Sequence, residues 1–218
     1  MKKHIVCFGD SNTHGYCADP ADCADGGERF NEDERWPCLL QKKLGEEYLV
    51  IEEGLSGRTT AFPNPIEDGL SGLDAISIAL RTHEPVDLLI IMLGTNDLKA
   101  RFRLDCAGVT QGLKWLIAEA RSTEGCWSGG KPNILVVAPP PLREAIRSHT
   151  MYEYMVPDCV EQSAALARSY AAASLSMGCH FLDAQGIGQF NDVDGMHLTK
   201  QGHARLAQAL AEKVPELI

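Results

Sequence analysis

Uninterrupted apolar tracts long enough to cross a bilayer are missing from this chain: its first apolar stretch, Ile5 to Phe8, already breaks at Gly9-Asp10. A membrane span needs about 20 apolar residues and an export signal an apolar core of about 7 to 15. The Met-Lys-Lys-His start therefore leads us to expect a cytoplasmic protein with no membrane partner. Basic residues are also scarce, with 20 Lys and Arg against 30 Asp and Glu and a formal net charge of −10. Such a surface repels nucleic acid and anionic membranes and suits small neutral or cationic ligands better. No Cys-x-x-Cys occurs among the 8 cysteines. Cys7 and Cys179 fall in or beside apolar runs, where a thiol packs as a small hydrophobe rather than a zinc or redox group; Cys17 and Cys23, in a polar loop, fit that reading least well. No Gly-x-Gly-x-x-Gly follows the first apolar run and no Walker lysine is present, so nothing specific favours a nucleotide-binding module. His4, His83, His149, His180 and His203 lack paired ligand spacing, and no repeat, low-complexity tract or linker interrupts the chain.

What is present is enough apolar material, 44% of 218 residues, to cover a central sheet with helices in one domain spanning residues 1–218. Short β-branched runs at Ile5 to Phe8, Tyr48 to Ile51, Leu88 to Leu93, Ile134 to Val137 and His180 to Leu182 read as strands. Between and after them, Trp36 to Leu44, Leu70 to Arg81, Ala107 to Arg121, Asp158 to Met177 and Thr199 to Val214 space their apolar residues as helices do, with Thr199 as a helix N-cap. Regular β-α alternation implies parallel strands joined by right-handed crossovers. The expected fold is α/β: a flavodoxin-like three-layer α/β/α sandwich around a five-stranded parallel sheet. Two longer irregular stretches, Tyr16 to Arg35 and Pro139 to Pro157, are candidates to cover a site at the strand ends.

In such sheets chemistry gathers at the carboxyl ends of the strands, and there the sequence places Gly9-Asp10-Ser11-Asn12, Gly54-Leu55-Ser56-Gly57-Arg58 and Gly94-Thr95-Asn96-Asp97, with Asp194-Gly195-Met196-His197 before the last helix. A serine hydroxyl attacks well only when a base removes its proton. His197 is the candidate base for Ser11, and Asp194 the carboxylate to hold its imidazole in the useful tautomer. An oxyanion needs neutral donors, which Gly57, through close backbone approach, and Asn96, through its amide, are placed to supply. Taken singly, each of these is more readily a turn, a cap or a surface loop. A two-metal phosphoesterase reading of the first block lacks the required ligands, since no Asp-x-His follows the first strand and no histidine lies near Asn96 in sequence. A non-catalytic α/β binding module remains the alternative the architecture itself permits.

All four blocks in this order resemble the SGNH (GDSL-like) hydrolases over nearly the whole chain. Cys7 to Ser11, Ile51 to Ser56, Arg58-Thr59-Thr60 and Ile90 to Asp97 are similar to its bacterial arylesterase/acyltransferase branch. The resemblance implies Ser11 as nucleophile, Asp194 and His197 as the rest of a triad, and an oxyanion hole made by the Ser11 and Gly57 amides with the Asn96 side chain. It implies no metal and no organic cofactor, a small-molecule ester as substrate, short-chain or aryl, hydrolysed through an acyl-enzyme, and a homo-oligomer. Transfer of the acyl group to an alcohol and O-deacetylation of a carbohydrate or other metabolite use the same groups. Asn12 departs from the leucine of the family name, which bears on the packing behind Ser11. His14 and Tyr16 begin a loop that lines the acyl pocket in similar esterases. The segment Met151 to Met155 is equally suited to an oligomer interface and to the substrate channel.

Overall fold

The computed structural model describes residues 1–218. Its five strands, β1 (Lys3–Gly9), β2 (Tyr48–Gly54), β3 (Leu88–Met92), β4 (Ile134–Ala138) and β5 (His180–Asp183), form one sheet in the order β2-β1-β3-β4-β5. Every neighbouring pair is parallel. This is the flavodoxin-like order expected, and it reverses direction between β1 and β3, where open α/β sheets place their ligands. The sequence shows why β3 and β4 are central: Leu88 to Met92 and Ile134 to Ala138 are buried at every position, as strands covered on both faces must be. The edge strand β2 instead carries Glu52 and Glu53, which are held by Arg35 at 2.6 Å and His83 at 2.7 Å.

Six helices cover the sheet: α1 (Ser11–His14), α2 (Trp36–Leu44), α3 (Gly72–Thr82), α4 (Cys106–Ser122), α5 (Cys159–Ser176) and α6 (Lys200–Lys213). The helices α2 and α6 pack together, while α3, α4 and α5 pack in sequence, giving a helical layer on each face. A single core cluster of 45 buried residues runs through all three layers. The predicted α2 matches end to end, and the others shift by a residue or two at their caps. Thus α3 starts at Gly72 rather than Leu70 because Ser71 accepts the Asp74 N–H, and Thr199 caps α6 by accepting the Gly202 N–H at 2.9 Å.

The stretch 16–35 is packed rather than loose. Tyr16 bridges Arg29, Phe30 is buried with Cys17 and Cys23, and the buried Glu34 accepts from Ala24 N and from Lys200 Nζ at 2.8 Å. Both thiols are free and buried. The stretch 139–157 forms two turns of 3-10 helix, Glu144–Ser148 and Thr150–Tyr154. It is tied to the rest at both ends: Arg143 N donates to Gly195 O at 2.9 Å, and Val156 N donates to Leu98 O at 3.0 Å. No helix is long and apolar enough to cross a membrane.

Candidate active site

The four sequence blocks converge at the carboxyl edge of β1, β2 and β3. Chain geometry at the first begins with Asp10, whose carboxylate accepts the Asn12 N–H at 2.9 Å and starts α1 immediately after β1. Ser11 is thereby the first residue of a helical turn and is buried but for a small opening. The four-residue helix lies so close over the end of β2 that a side chain at Gly54 would collide with the backbone of Thr13 and His14.

Across the opening, His197 Nε2 stands 2.9 Å from Ser11 Oγ, and His197 Nδ1 is 2.6 Å from Asp194 Oδ2. The Asp-x-x-His turn is built largely by Asn191. Its Oδ1 accepts the Asp194 N–H at 2.9 Å and its Nδ2 donates to the His197 carbonyl at 2.8 Å. Asp194 Oδ1 accepts the Met196 and His197 amides at 2.9 and 3.1 Å. Burial by itself would raise this carboxyl, but the hydrogen bond to His197, its charge and the two amides outweigh burial and hold Asp194 at about 2. It is therefore ionised throughout the neutral range, as a group that stabilises an imidazolium must be. Tyr16 packs its ring 4.5 Å from the imidazole and limits how far His197 can swing.

Asn12, the departure from the family name, turns out to hold the two halves together. Its Nδ2 donates to Met196 O at 3.2 Å and its Oδ1 accepts the Leu198 N–H at 2.9 Å, gripping the backbone on both sides of His197. A leucine there would pack but could not make these bonds. Asn12 stands out in the sequence only as a departure from the family name and Asn191 not at all, because most of their partners are backbone groups that carry no residue signature.

Gly57 and Asn96 also line the opening. Gly57 has φ 87°, a left-handed conformation that favours glycine, and a Cβ there would meet Leu70 Cδ1 at 3.0 Å. The amide N–H groups of Ser11 and Gly57 donate to no protein acceptor. Asn96 Nδ2 donates to Arg58 O at 3.2 Å and reaches Asp10 Oδ2 only at 3.5 Å, so one of its two N–H groups is weakly engaged and available. Behind them Arg58 is buried with its guanidinium 4.1 Å over the Phe8 ring, donating to Gly9 O at 3.0 Å. Asp97 is buried against Thr60, accepting its amide at 3.0 Å. Burial raises Asp97 to about 7 and Asp10 to about 6 in spite of their hydrogen bonds.

The cavity these residues enclose is about 270 Å³. Besides the five predicted site residues, it is lined by Tyr16, Ala18, Ser56, Lys99, His149, Met151 and Met196. Tyr16 is where the sequence expects it, whereas His14 does not reach the cavity. The 151–155 segment divides: Met151 faces the cavity, Met155 is buried, and Tyr154 is exposed. His203 lies buried in α6, its Nδ1 accepting the Trp36 N–H at 3.2 Å, a packing role as expected. Burial lowers it to about 3.

A serine, an imidazole and a carboxylate in hydrogen-bonded series, set at the switch point of a parallel α/β sheet, are the arrangement of a serine hydrolase. The chain belongs to the GDSL-like lipase/acylhydrolase family, whose model matches residues 7–205. Among solved structures it is similar to an aryl esterase of M. smegmatis, with 38% identity and a TM-score of 0.89 over 99% of this chain and 100% of that one. It is also similar to Est24, a carbohydrate acetylesterase from Sinorhizobium meliloti, with 34% identity and a TM-score of 0.89 over 100% of both chains. A lipase/acylhydrolase from Enterococcus faecalis, at 19% identity and a TM-score of 0.68, shares the fold. No curated protein sequence matches the chain. Family and neighbours together make it a serine ester hydrolase.

Proposed function

We propose that Ser11, His197 and Asp194 are the catalytic triad, that the Ser11 and Gly57 amides with Asn96 Nδ2 form the oxyanion hole, and that the chain hydrolyses small carboxylic esters with short or aryl groups. The observation that carries this is the continuous hydrogen-bonded path from Ser11 Oγ through His197 to Asp194, at 2.9 and 2.6 Å, opening on one small cavity. His197 takes the Ser11 proton as Oγ attacks the ester carbonyl, and the carbonyl oxygen, now anionic, turns toward the three donors. Collapse of the tetrahedral intermediate expels the alcohol, which takes the proton from His197, and leaves an acyl-Ser11 ester. Water then attacks the acyl group, giving its proton to His197, and the acid departs as that proton returns to Ser11. An alcohol in place of water yields a new ester by the same steps. A cavity of about 270 Å³ lies at the lower limit of small-molecule sites, which is why short acyl groups are expected.

O-deacetylation of a polar metabolite is a second reading, favoured by the carbohydrate acetylesterase among its structural neighbours. Intact-protein mass spectrometry after treatment with an organophosphonate ester tests the common core. Wild type should gain one adduct, Ser11→Ala none, and His197→Ala should label far more slowly, with p-nitrophenyl acetate turnover falling in parallel. Labelling of Ser11→Ala as fast as wild type would refute the assignment of the nucleophile.

A further inference from the structure

We infer that the pocket contains an anion subsite: Lys99, with His149 on the same cavity lining, selects esters that carry a carboxylate or comparable anionic group near the scissile carbonyl. The inference rests on the ester-hydrolase reading of the Ser11 site and names a substrate class for it.

Lys99 follows directly on the 3-10 turn Asn96–Leu98 and is half-buried in the wall that also holds Ser11, Gly57 and Asn96. Its backbone is not free to drift, because residue 99 bridges Met155 and the adjoining Leu98 carbonyl accepts the Val156 N–H at 3.0 Å. Yet the ammonium makes no hydrogen bond and no ion pair, whereas Lys200 and Lys213 each hold a carboxylate at 2.8 and 2.7 Å. Asp10, Glu67 and Asp97 act on it through their field without contact, and Arg101 opposes them. A partly desolvated cation left without a partner costs stability, and that cost is recovered when an anion binds.

His149 supplies a second donor. Its Nδ1 accepts the Met151 N–H at 3.2 Å, so the neutral ring carries its proton on Nε2, and no protein group accepts from Nε2. The other lining groups do not compete for the anion. Asp194 is the one acid among them and is already bonded to His197 and two amides, and Ser56 is neutral. Apart from Asp194 and the carboxyls near Lys99, the chain's net charge of −10 opposes an anion at long range. At physiological salt that field is screened beyond about 8 Å, while contact with Lys99 inside a half-enclosed cavity is not.

Two matched ester pairs test this and separate the side on which the anion sits. They are 3-acetoxybenzoate with its methyl ester, charged on the alcohol, and mono-p-nitrophenyl succinate with its methyl ester, charged on the acyl group. The readout is the ratio of kcat/KM for the charged over the neutral member. For at least one pair, Lys99→Met should lower that ratio by about tenfold to a hundredfold, the loss expected when a charge-assisted bond disappears. Lys99→Arg should retain it. Ratios that Lys99→Met leaves unmoved for both pairs overturn the anion subsite while leaving the esterase standing. No turnover of any of the four esters, with no phosphonate adduct at Ser11, overturns the reading beneath it.

Discussion

Asn12 grips the backbone at Met196 and Leu198, so the reach from Ser11 to His197 is set by a residue that joins in no proton transfer. Replacing it with alanine frees the His197 turn on one side and leaves the Leu198 amide without its acceptor. Small misplacements of a general base are costly, up to about a hundredfold per ångström. We expect Asn12→Ala to lower kcat on p-nitrophenyl acetate by about tenfold or more with KM little changed, and to cost about 1–3 kcal/mol in stability, measured by steady-state kinetics beside urea melts. An unaltered kcat would remove Asn12 from the positioning of His197. Asn96→Ala acts on a different step, taking one donor from the developing oxyanion. It should cut kcat about a hundredfold while still allowing an acyl-enzyme to be trapped in single-turnover mass spectrometry. At this scale the sequence displayed what chemistry demands by residue type: a serine, a histidine with an acid three residues before it, an amide and a glycine. It did not display Asn191 or Lys99, nor what Asn12 does, because their work is done mostly through backbone groups or through the lack of any partner.

Strands and long helices were legible because burial on two faces requires continuous apolar runs and burial on one face requires a three-to-four spacing; β3, β4 and α2 show both rules in plain form. The short α1 was not. Ser-Asn-Thr-His has no apolar period, and the turn exists because Asp10 caps it and because Gly9 and Gly54 let it lie against the strand ends. The two irregular stretches likewise showed their length but not their packing, which depends on single polar anchors such as Glu34 and Arg143. The dependence of α1 on Gly54 can be tested. A methyl group there meets the backbone of Thr13 and His14, which cannot turn aside as a side chain would, so α1 must shift and carry Ser11 with it. Gly54→Ala should therefore lose most ester turnover and about 1–3 kcal/mol of stability together. At the far end of the chain, Thr199→Ala removes only a helix cap and should cost about 1 kcal/mol with turnover preserved, so denaturant melts and assays on the two variants should part company.

Taken as a whole, the molecule holds carboxyls perturbed in opposite senses around one site, and its stability should depend on pH accordingly. Asp10 and Asp97 are completely buried and raised to about 6 and about 7, while Asp194 is held at about 2. In the unfolded chain all three ionise near pH 4. From about pH 4 up to about pH 6 for Asp10 and about pH 7 for Asp97, the native state keeps protons that the unfolded state has released, so rising pH favours unfolding. The stability these two contribute is fully present below about pH 4 and is lost as pH climbs through their native values. Asp194 runs the other way: its contribution is present above about pH 4 and is lost as pH falls toward 2. Asp97→Asn removes the larger of the two raised carboxyls yet keeps an oxygen to accept the Thr60 amide. The free energy of unfolding, followed from pH 4.5 to 7.5 in denaturant titrations, should decline in wild type by on the order of a few kcal/mol from these groups and decline distinctly less in Asp97→Asn. Parallel declines in the two proteins would mean that Asp97 is ionised in the native state across this range. Asp97 would then have to be read as a charge held by the Thr60 amide and hydroxyl rather than as a neutral hydrogen-bonding group.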